Sequence, residues 1–156
     1  MLEIDIPGYK TLRLEHLLLD YNGTLAYDGE LLDGVDVDLS QLSHNLHIHI
    51  LTGDTFGRAR EELSGIPCEL VILSACNQDS AKLDYLQRLG AKNCAAIGNG
   101  RNDRLMLKTA ELAIAVAQHE SVAVEALMAA DILVPNIGAA LGLLLHPLRL
   151  MATLRS

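Results

Sequence analysis

An aspartate at position 20 closes the apolar run Leu17-Leu18-Leu19, and a threonine at position 52 closes His47-Ile48-His49-Ile50-Leu51. Gly98-Asn99-Gly100 follows Cys94-Ala95-Ala96-Ile97, with Asp103 just beyond. One aspartate after an apolar run is what any turn or helix cap supplies. A carboxylate, a hydroxyl and amides at the ends of separate runs are different, because side by side they make a polar edge that can hold and react with a polar ligand. No GxxxxGK[ST] phosphate loop and no GxGxxG fingerprint occurs, so nucleotide binding of those kinds is not supported. Cys68, Cys76 and Cys94 are odd in number and lack a CxxC spacing, which points to reduced, packed thiols and away from disulfides or a zinc ribbon.

Those polar ends need elements to position them. Apolar runs of strand length recur at Leu17–Leu19, Leu46–Leu51, Leu70–Leu73, Cys94–Ile97, Leu112–Val116 and Ile132–Val134. They are continuous blocks without alternation, as strands covered on both faces are. Between them lie helical stripes: Phe56, Ala59 and Leu63; Leu83, Leu86 and Leu89; Leu105, Met106, Thr109 and Ala110; and Val124, Leu127 and Met128. The C-terminal segment places Ile137, Leu141, Leu144, Leu145 and Leu148 on one face, with Pro147 set to kink or end the helix. Alternating strands and helices predict an α/β fold, a three-layer α/β/α sandwich around a parallel sheet, with the ligand site at the strands' carboxyl ends. Two pieces break the rhythm. Residues 1–14 alternate around Pro7-Gly8 as a β-hairpin does, and residues 21–35 carry Asn22-Gly23, Asp28-Gly29 and Asp33-Gly34, which predict a tight turn followed by a small flap.

Composition narrows the function classes. The chain has 156 residues, one domain's length, and half of them are apolar. Twelve basic against twenty acidic residues give a net charge of −8, with a pI near 5.1. That sign disfavours nucleic acid and anionic membrane surfaces as partners. The absence of tryptophan and a single phenylalanine leave few platforms for base stacking. The opening MLEIDIPGYK has no apolar core of a signal peptide, so a cytoplasmic location is expected.

Asp20-Tyr21-Asn22-Gly23-Thr24 resembles motif I of the haloacid dehalogenase-like superfamily, and Leu51-Thr52-Gly53-Asp54 resembles motif II. Lys82, opening a helix, is similar to motif III, and Gly98-Asn99-Gly100-Arg101-Asn102-Asp103 to motif IV. All four stand in the family's order. Within the superfamily the likeness is closest to soluble relatives of the P-type ATPase phosphorylation domain, where DYNGTLA and a TFG after motif II also occur. The resemblance implies a Rossmann-like sheet and a Mg²⁺-dependent phosphohydrolase or phosphotransferase that works through an aspartyl-phosphate on Asp20. It further implies that Asp20, the Asn22 backbone carbonyl, Asn99 and Asp103 hold the metal. Thr52, Gly53, Lys82 and Asn102 would hold the phosphoryl group. Chemistry of this kind needs a nucleophile in line and neutralised phosphoryl oxygens, which such a set supplies.

Two positions depart from that pattern. Phosphatases of the superfamily carry a second aspartate two residues after the nucleophile as acid and base; here it is Asn22, and an amide cannot take that role, so hydrolysis should be slow. Asn99 stands where the family has a metal-binding carboxylate, which removes a negative charge. Both changes also fit an alternative, a non-catalytic module that binds a phosphorylated ligand or regulates a pump. Thr52 stands 32 positions after Asp20 and Lys82 stands 30 after Thr52, intervals too short for a cap domain. An open site suits a large phosphorylated substrate, such as a phosphoprotein, or a lid made by a neighbouring subunit, with Tyr21 and Tyr27 as candidate walls. His44, His47 and His49 suggest a metal cluster but lack convergent Cys or acid partners, so a structural role is expected. Surplus leucines near the C-terminus are expected to pack on the sheet, with a homo-oligomer contact as the second reading.

Overall fold

Leu17, Leu18 and Leu19 have no solvent exposure, so the strand that carries them is covered on both faces. The computed structural model describes all of residues 1–156. Its strands are β1 (Leu2–Ile6), β2 (Lys10–Leu14), β3 (His16–Asp20), β4 (Ala26–Tyr27), β5 (Glu30–Leu31), β6 (His47–Thr52), β7 (Glu69–Ile72), β8 (Cys94–Gly98), β9 (Leu112–Val116) and β10 (Ile132–Val134). Helices are α1 (Val35–Leu42), α2 (Ala59–Glu62), α3 (Gln78–Leu89), α4 (Arg104–Thr109), α5 (Val124–Ala129), α6 (Ile137–Leu145) and α7 (Pro147–Leu154).

Six strands form one sheet in the order β10-β9-β8-β3-β6-β7, every pair parallel. Side-chain parity divides the core into two layers. Leu17, Leu19, Ile48, Ile50, Ala95 and Ile97 face one way, into a cluster that also takes Val35, Leu39 and Leu42 of α1 and Ile137, Leu141 and Leu144 of α6. Leu18, Leu51, Cys94 and Ala96 face the other way, against Leu86 of α3, Met106 and Leu107 of α4 and Ala126 of α5. The sheet is thus the middle layer of a three-layer α/β/α sandwich, a Rossmann-like arrangement.

The N-terminal hairpin pairs β1 with β2 antiparallel, and its inward residues Ile4, Ile6, Leu12 and Leu14 seal the α1/α6 side of the core. The flap is the short pair β4 and β5, closed by Asp28 and Gly29, both with positive φ (50° and 83°), the geometry that tight hairpin turns require. Only this flap and α1 separate Asp20 from Thr52, and only α2 and β7 separate Thr52 from Lys82, so no cap domain is inserted.

Several helix faces differ from the sequence expectation. Residues 35–42, which none of the stripes read from the sequence include, form α1, and Val35, Leu39 and Leu42 at helical spacing bury its inner side. Helix α2 is one turn long; Phe56 lies before it, 47% exposed, its ring against Gly29 of the flap. In α5 Val124 and Met128 point outward, and the small Ala126 lets the helix approach the sheet. Leu148 is also outward, because the chain bends 101° between α6 and α7 and Leu150 takes the buried position. No single helix is long and apolar enough to cross a membrane.

Candidate active site

Parity fixes where the first carboxylate points. Asp20, two residues after Leu18, shares that residue's side of the sheet, the side covered by α3 and α4. Lys82, one turn before Leu86 on α3, is wholly buried there. Its ammonium donates to Asp20 Oδ1 at 2.6 Å and to Asp103 Oδ1 at 2.7 Å. Burial works against the lysine's charge, but the two carboxylates outweigh it and hold its pKa above the usual range. Burial, reinforced by the charge of Asp103, pushes Asp20 up to about 6, with Lys82 and the Thr24 hydroxyl pulling the other way. At neutral pH the nucleophile candidate is therefore an ionised carboxylate in a dry setting.

The turn after β3 folds back on the Tyr21 carbonyl, which accepts from the amides of Thr24, Leu25 and Ala26 at 2.9–3.2 Å. This brings the buried Thr24 hydroxyl under the site, where it donates to Asp20 Oδ2 at 3.1 Å, with Asn99 Oδ1 3.2 Å away. Gln118, just past β9, clamps the turn by donating to the Gly23 and Thr24 carbonyls at 3.2 and 2.6 Å. Tyr21 is not a wall of the site. Its ring is buried, and its hydroxyl donates to the Gly29 carbonyl at 2.9 Å, fastening the flap to the turn. Tyr27 is exposed and packs beside His119, ring centres 4.8 Å apart.

Thr52 ends β6, buried, with its oxygen accepting the Asp54 amide at 2.9 Å, so the hydroxyl proton is free to donate elsewhere. Asp54 is occupied: Oδ1 accepts from the Arg58 and Ala59 amides at 3.1 and 3.0 Å and starts α2. Beyond β8, Asp103 Oδ2 gathers the Asn99 and Gly100 amides at 3.1 and 2.9 Å. With Oδ1 on Lys82, both oxygens of Asp103 are committed and its side chain has no exposure, so it lies beneath the site and does not line it. It shapes the loop and anchors the lysine, a different place from the metal-ligand position that the sequence resemblance implies.

Above these groups lies a polar cavity of about 290 Å³ at the carboxyl ends of β3, β6 and β8. Asp20, Asn22, Thr52, Gly53, Asn99 and Asn102 line it, all of them anticipated in sequence. Thr55, Gln78, Gly100 and Glu120 complete the lining, and no hydrophobic residue contributes. Gln78 has a definable job: it accepts from Asn102 Nδ2 at 2.9 Å, while its own amide nitrogen lies over Gly53, where a Cβ would stand 2.4 Å from it.

Asn22 Oδ1 is buried with no hydrogen-bond partner. Unpaired buried oxygens are rare and signal something that belongs beside them. The lining offers only oxygen and amide donors, and no three His, Cys, Asp or Glu side chains cluster anywhere as a metal site. Such a set suits a hard cation that retains water, and the residues present fit Mg²⁺.

The histidines lie at the opposite, amino end of the sheet. His16 Nδ1 and His49 Nε2 are 3.0 Å apart, and His49 Nδ1 lies 3.0 Å from the Tyr85 hydroxyl. His47 stacks beside His16 with ring centres 5.4 Å apart, while His44 stands elsewhere, its Nδ1 3.1 Å from the Gln41 carbonyl.

This fold has counterparts. The deoxy-D-mannose-octulosonate 8-phosphate phosphatase of Haemophilus influenzae, solved with cobalt, superposes with a TM-score of 0.72 over 92% of this chain and 94% of its own, at 15% identity. The 3-deoxy-D-manno-octulosonate 8-phosphate phosphatase of Moraxella catarrhalis, solved with magnesium, phosphate and the sugar acid, gives 0.66 over 91% and 94%, at 18% identity. A phosphoserine phosphatase captured as a phospho-aspartyl intermediate analogue gives 0.59 over 78% and 93%, at 14% identity. The fold is that of the haloacid dehalogenase-like superfamily. No protein-family model matches the chain. In sequence, an uncharacterized protein of Methanocaldococcus jannaschii is 44% identical over 79 residues, which span 48% of this chain and 85% of that one. The chain belongs to the same family as that archaeal protein.

Proposed function

We propose that this protein is a capless, Mg²⁺-dependent phosphohydrolase or phosphotransferase that forms an aspartyl-phosphate on Asp20. The observation that carries the reading is the Lys82 ammonium 2.6 Å from Asp20 Oδ1 under a cavity lined only by polar residues. Lys82 keeps the nucleophile ionised and oriented from beneath the cavity, and its charge offsets the negative charge that builds above Asp20. The Asp20 carboxylate attacks phosphorus, a new O–P bond forms, and the bond to the leaving oxygen breaks. Thr52 donates its free hydroxyl proton as a hydrogen bond to a phosphoryl oxygen, and Asn102, steadied by Gln78, closes the far side. Asp20, the Asn22 carbonyl and Asn99 would hold Mg²⁺, while Asp103 acts from below on Lys82 and the loop. When bound, the cation neutralises phosphoryl oxygens as the charged nucleophile approaches.

Asn22 can neither protonate the leaving oxygen nor activate water, so water must take over those proton transfers and the aspartyl-phosphate should persist. The cap-free opening favours a phosphate group presented on a large molecule over an enclosed metabolite. Proteins of similar fold are named as phosphatases of a sugar-acid phosphate and of phosphoserine, and they support a phosphate ester as the reacting group here, not the size of the molecule that carries it. The test is thermal stabilisation by beryllofluoride with Mg²⁺, combined with a phosphoester screen against wild type and Asp20→Asn. A shift and a turnover that both vanish in the variant support the enzyme. A shift without any Asp20-dependent turnover would leave a phospho-ligand-binding module instead.

A further inference from the structure

The turn that follows β9 is pinned on two sides. Gln118 donates to the carbonyls of Gly23 and Thr24, and Asn99 Nδ2 donates to the Ser121 carbonyl at 3.1 Å. The Ser121 amide in turn donates to the Gln118 carbonyl at 2.9 Å, closing the turn on itself. Glu120 lies between these anchors. Its side chain is solvent-exposed, and the residues that flank it, Gln118 and Ser121, are tied to the motif I turn and to Asn99 after β8, which sets the carboxylate beside both.

That place is marked by Gly23, whose φ is +80°. A Cβ on Gly23 would stand 2.5 Å from Glu120 Oε2, 2.5 Å from Asn99 Nδ2 and 2.8 Å from Asn99 Oδ1. The glutamate carboxylate and the Asn99 amide therefore crowd one point above the turn that carries the Asn22 carbonyl. Of the ten residues lining the cavity, only Asp20 and Glu120 carry a charge. Lys82 and Asp103 are sealed below.

We propose that Glu120 supplies to the divalent cation, directly or through a bound water, the negative charge that Asn99 lacks. The proposal rests on the reading of Asp20, Asn22 and Asn99 as the cation site. It explains why an amide is tolerated at position 99: the carboxylate arrives from the neighbouring loop, and the glycine at 23 leaves the space for it. Two carboxylates, Asp20 and Glu120, would then face the cation together with neutral oxygens.

The experiment is Mn²⁺ binding without substrate, followed by electron paramagnetic resonance on wild type, Glu120→Gln, Asn99→Asp, the Glu120→Gln/Asn99→Asp double variant, Asp20→Asn and Glu61→Gln. Glu120→Gln is expected to weaken Mn²⁺ about tenfold. Adding Asn99→Asp to it should restore affinity to within about threefold of wild type, since the charge returns to the same site. Glu61→Gln, the same charge change on exposed α2, should leave affinity within about twofold. Unchanged thermal melting of Glu120→Gln excludes misfolding as the cause. If Glu120→Gln binds Mn²⁺ as wild type does while Asp20→Asn does not, Glu120 has no part in the site and only this inference falls. If wild type itself fails to bind Mn²⁺, the cation site and the proposed function fall with it.

Discussion

Lys82 Nζ lies 2.6 Å from Asp20 Oδ1, in a place where the lysine has no solvent exposure and the aspartate almost none. A buried pair of this kind is poor support for stability, because removing both charges from water offsets much of their attraction. What it provides is arrangement. Lys82 bridges Asp20 on β3 to Asp103 beyond β8, so one ammonium ties the proposed nucleophile to the loop that carries Asn99 and Asn102.

Removing the two partners should therefore have unequal effects. Lys82→Ala leaves two carboxylates facing each other in a dry interior and is expected to destabilise the fold by about 3–5 kcal/mol. Asp20→Asn keeps Lys82 paired with Asp103 and relieves a carboxyl that burial already disfavours, so a loss under about 2 kcal/mol is expected. Urea denaturation of both variants measures the difference. Equal losses would mean that the lysine does not bridge the two acids.

Asn22→Asp should raise turnover, because it places a titratable carboxyl where the leaving oxygen needs a proton. General acid and base assistance of this type is worth about 10²–10⁴ in rate, so a gain of at least tenfold is expected in an Asp20-dependent assay. The orphaned Asn22 Oδ1 shows that the position lacks a protein partner for this oxygen. A faster decay of acid-quenched phosphoenzyme in the variant would place the gain in the hydrolytic step.

Much of this was readable from the chain, for a physical reason. A strand buried on both faces needs an unbroken apolar run, so β3, β6, β8 and β9 stand out, and the polar residues that follow the first three mark the edge where a ligand can sit. Asp20, Thr52 and Asn99 follow from that pattern alone. Helix α1 was hidden because Asp33, Asp36 and Asp38 dominate its segment, although Val35, Leu39 and Leu42 carry the helical spacing. Gln78, Gln118 and Glu120 were not legible. Each acts through a backbone or side chain distant in sequence, and nothing in its local pattern separates it from an ordinary surface amide or acid. The inward Ala126 of α5 was missed for a related reason: where a helix lies close to a sheet, a small side chain is the buried one and larger neighbours point outward.

The amino end of the sheet predicts a pH effect remote from the catalytic chemistry. Burial holds His49 below its usual pKa, with His16 and His47 adding to the depression while Glu69 opposes it. His16 is lowered by burial and by His47, against Glu15. Both imidazoles are neutral in the folded protein over a range where the unfolded chain is protonated. The unfolded state then binds more protons, so stability is full above pH 6.5 and is lost as pH falls below it. For the enclosed His49 the slope cannot exceed about 1.4 kcal/mol per pH unit. Denaturation midpoints taken between pH 7.5 and 5 should fall, and His49→Gln should flatten the fall. A profile unaffected by that substitution would show that the His49 environment does not disfavour its charge.

Gly98 tests whether the anchoring of Asp103 matters as the geometry indicates. Its φ is not in the left-handed region, so alanine brings no backbone strain, but a Cβ there would lie 2.5 Å from both Cγ and Oδ2 of Asp103 and 2.8 Å from its Cβ. The carboxylate would have to move off the Asn99 and Gly100 amides, and its hold on Lys82 would loosen. Gly98→Ala is expected to destabilise by about 1–3 kcal/mol, the usual range for an overpacked core position. In an Asp103→Gly background every one of these atoms is gone, so the same substitution should become nearly neutral, a coupling that a double-mutant cycle reads directly. If Gly98→Ala is equally harmful in both backgrounds, the pressure falls on some neighbour other than Asp103, and the aspartate is not what requires a glycine at the end of β8.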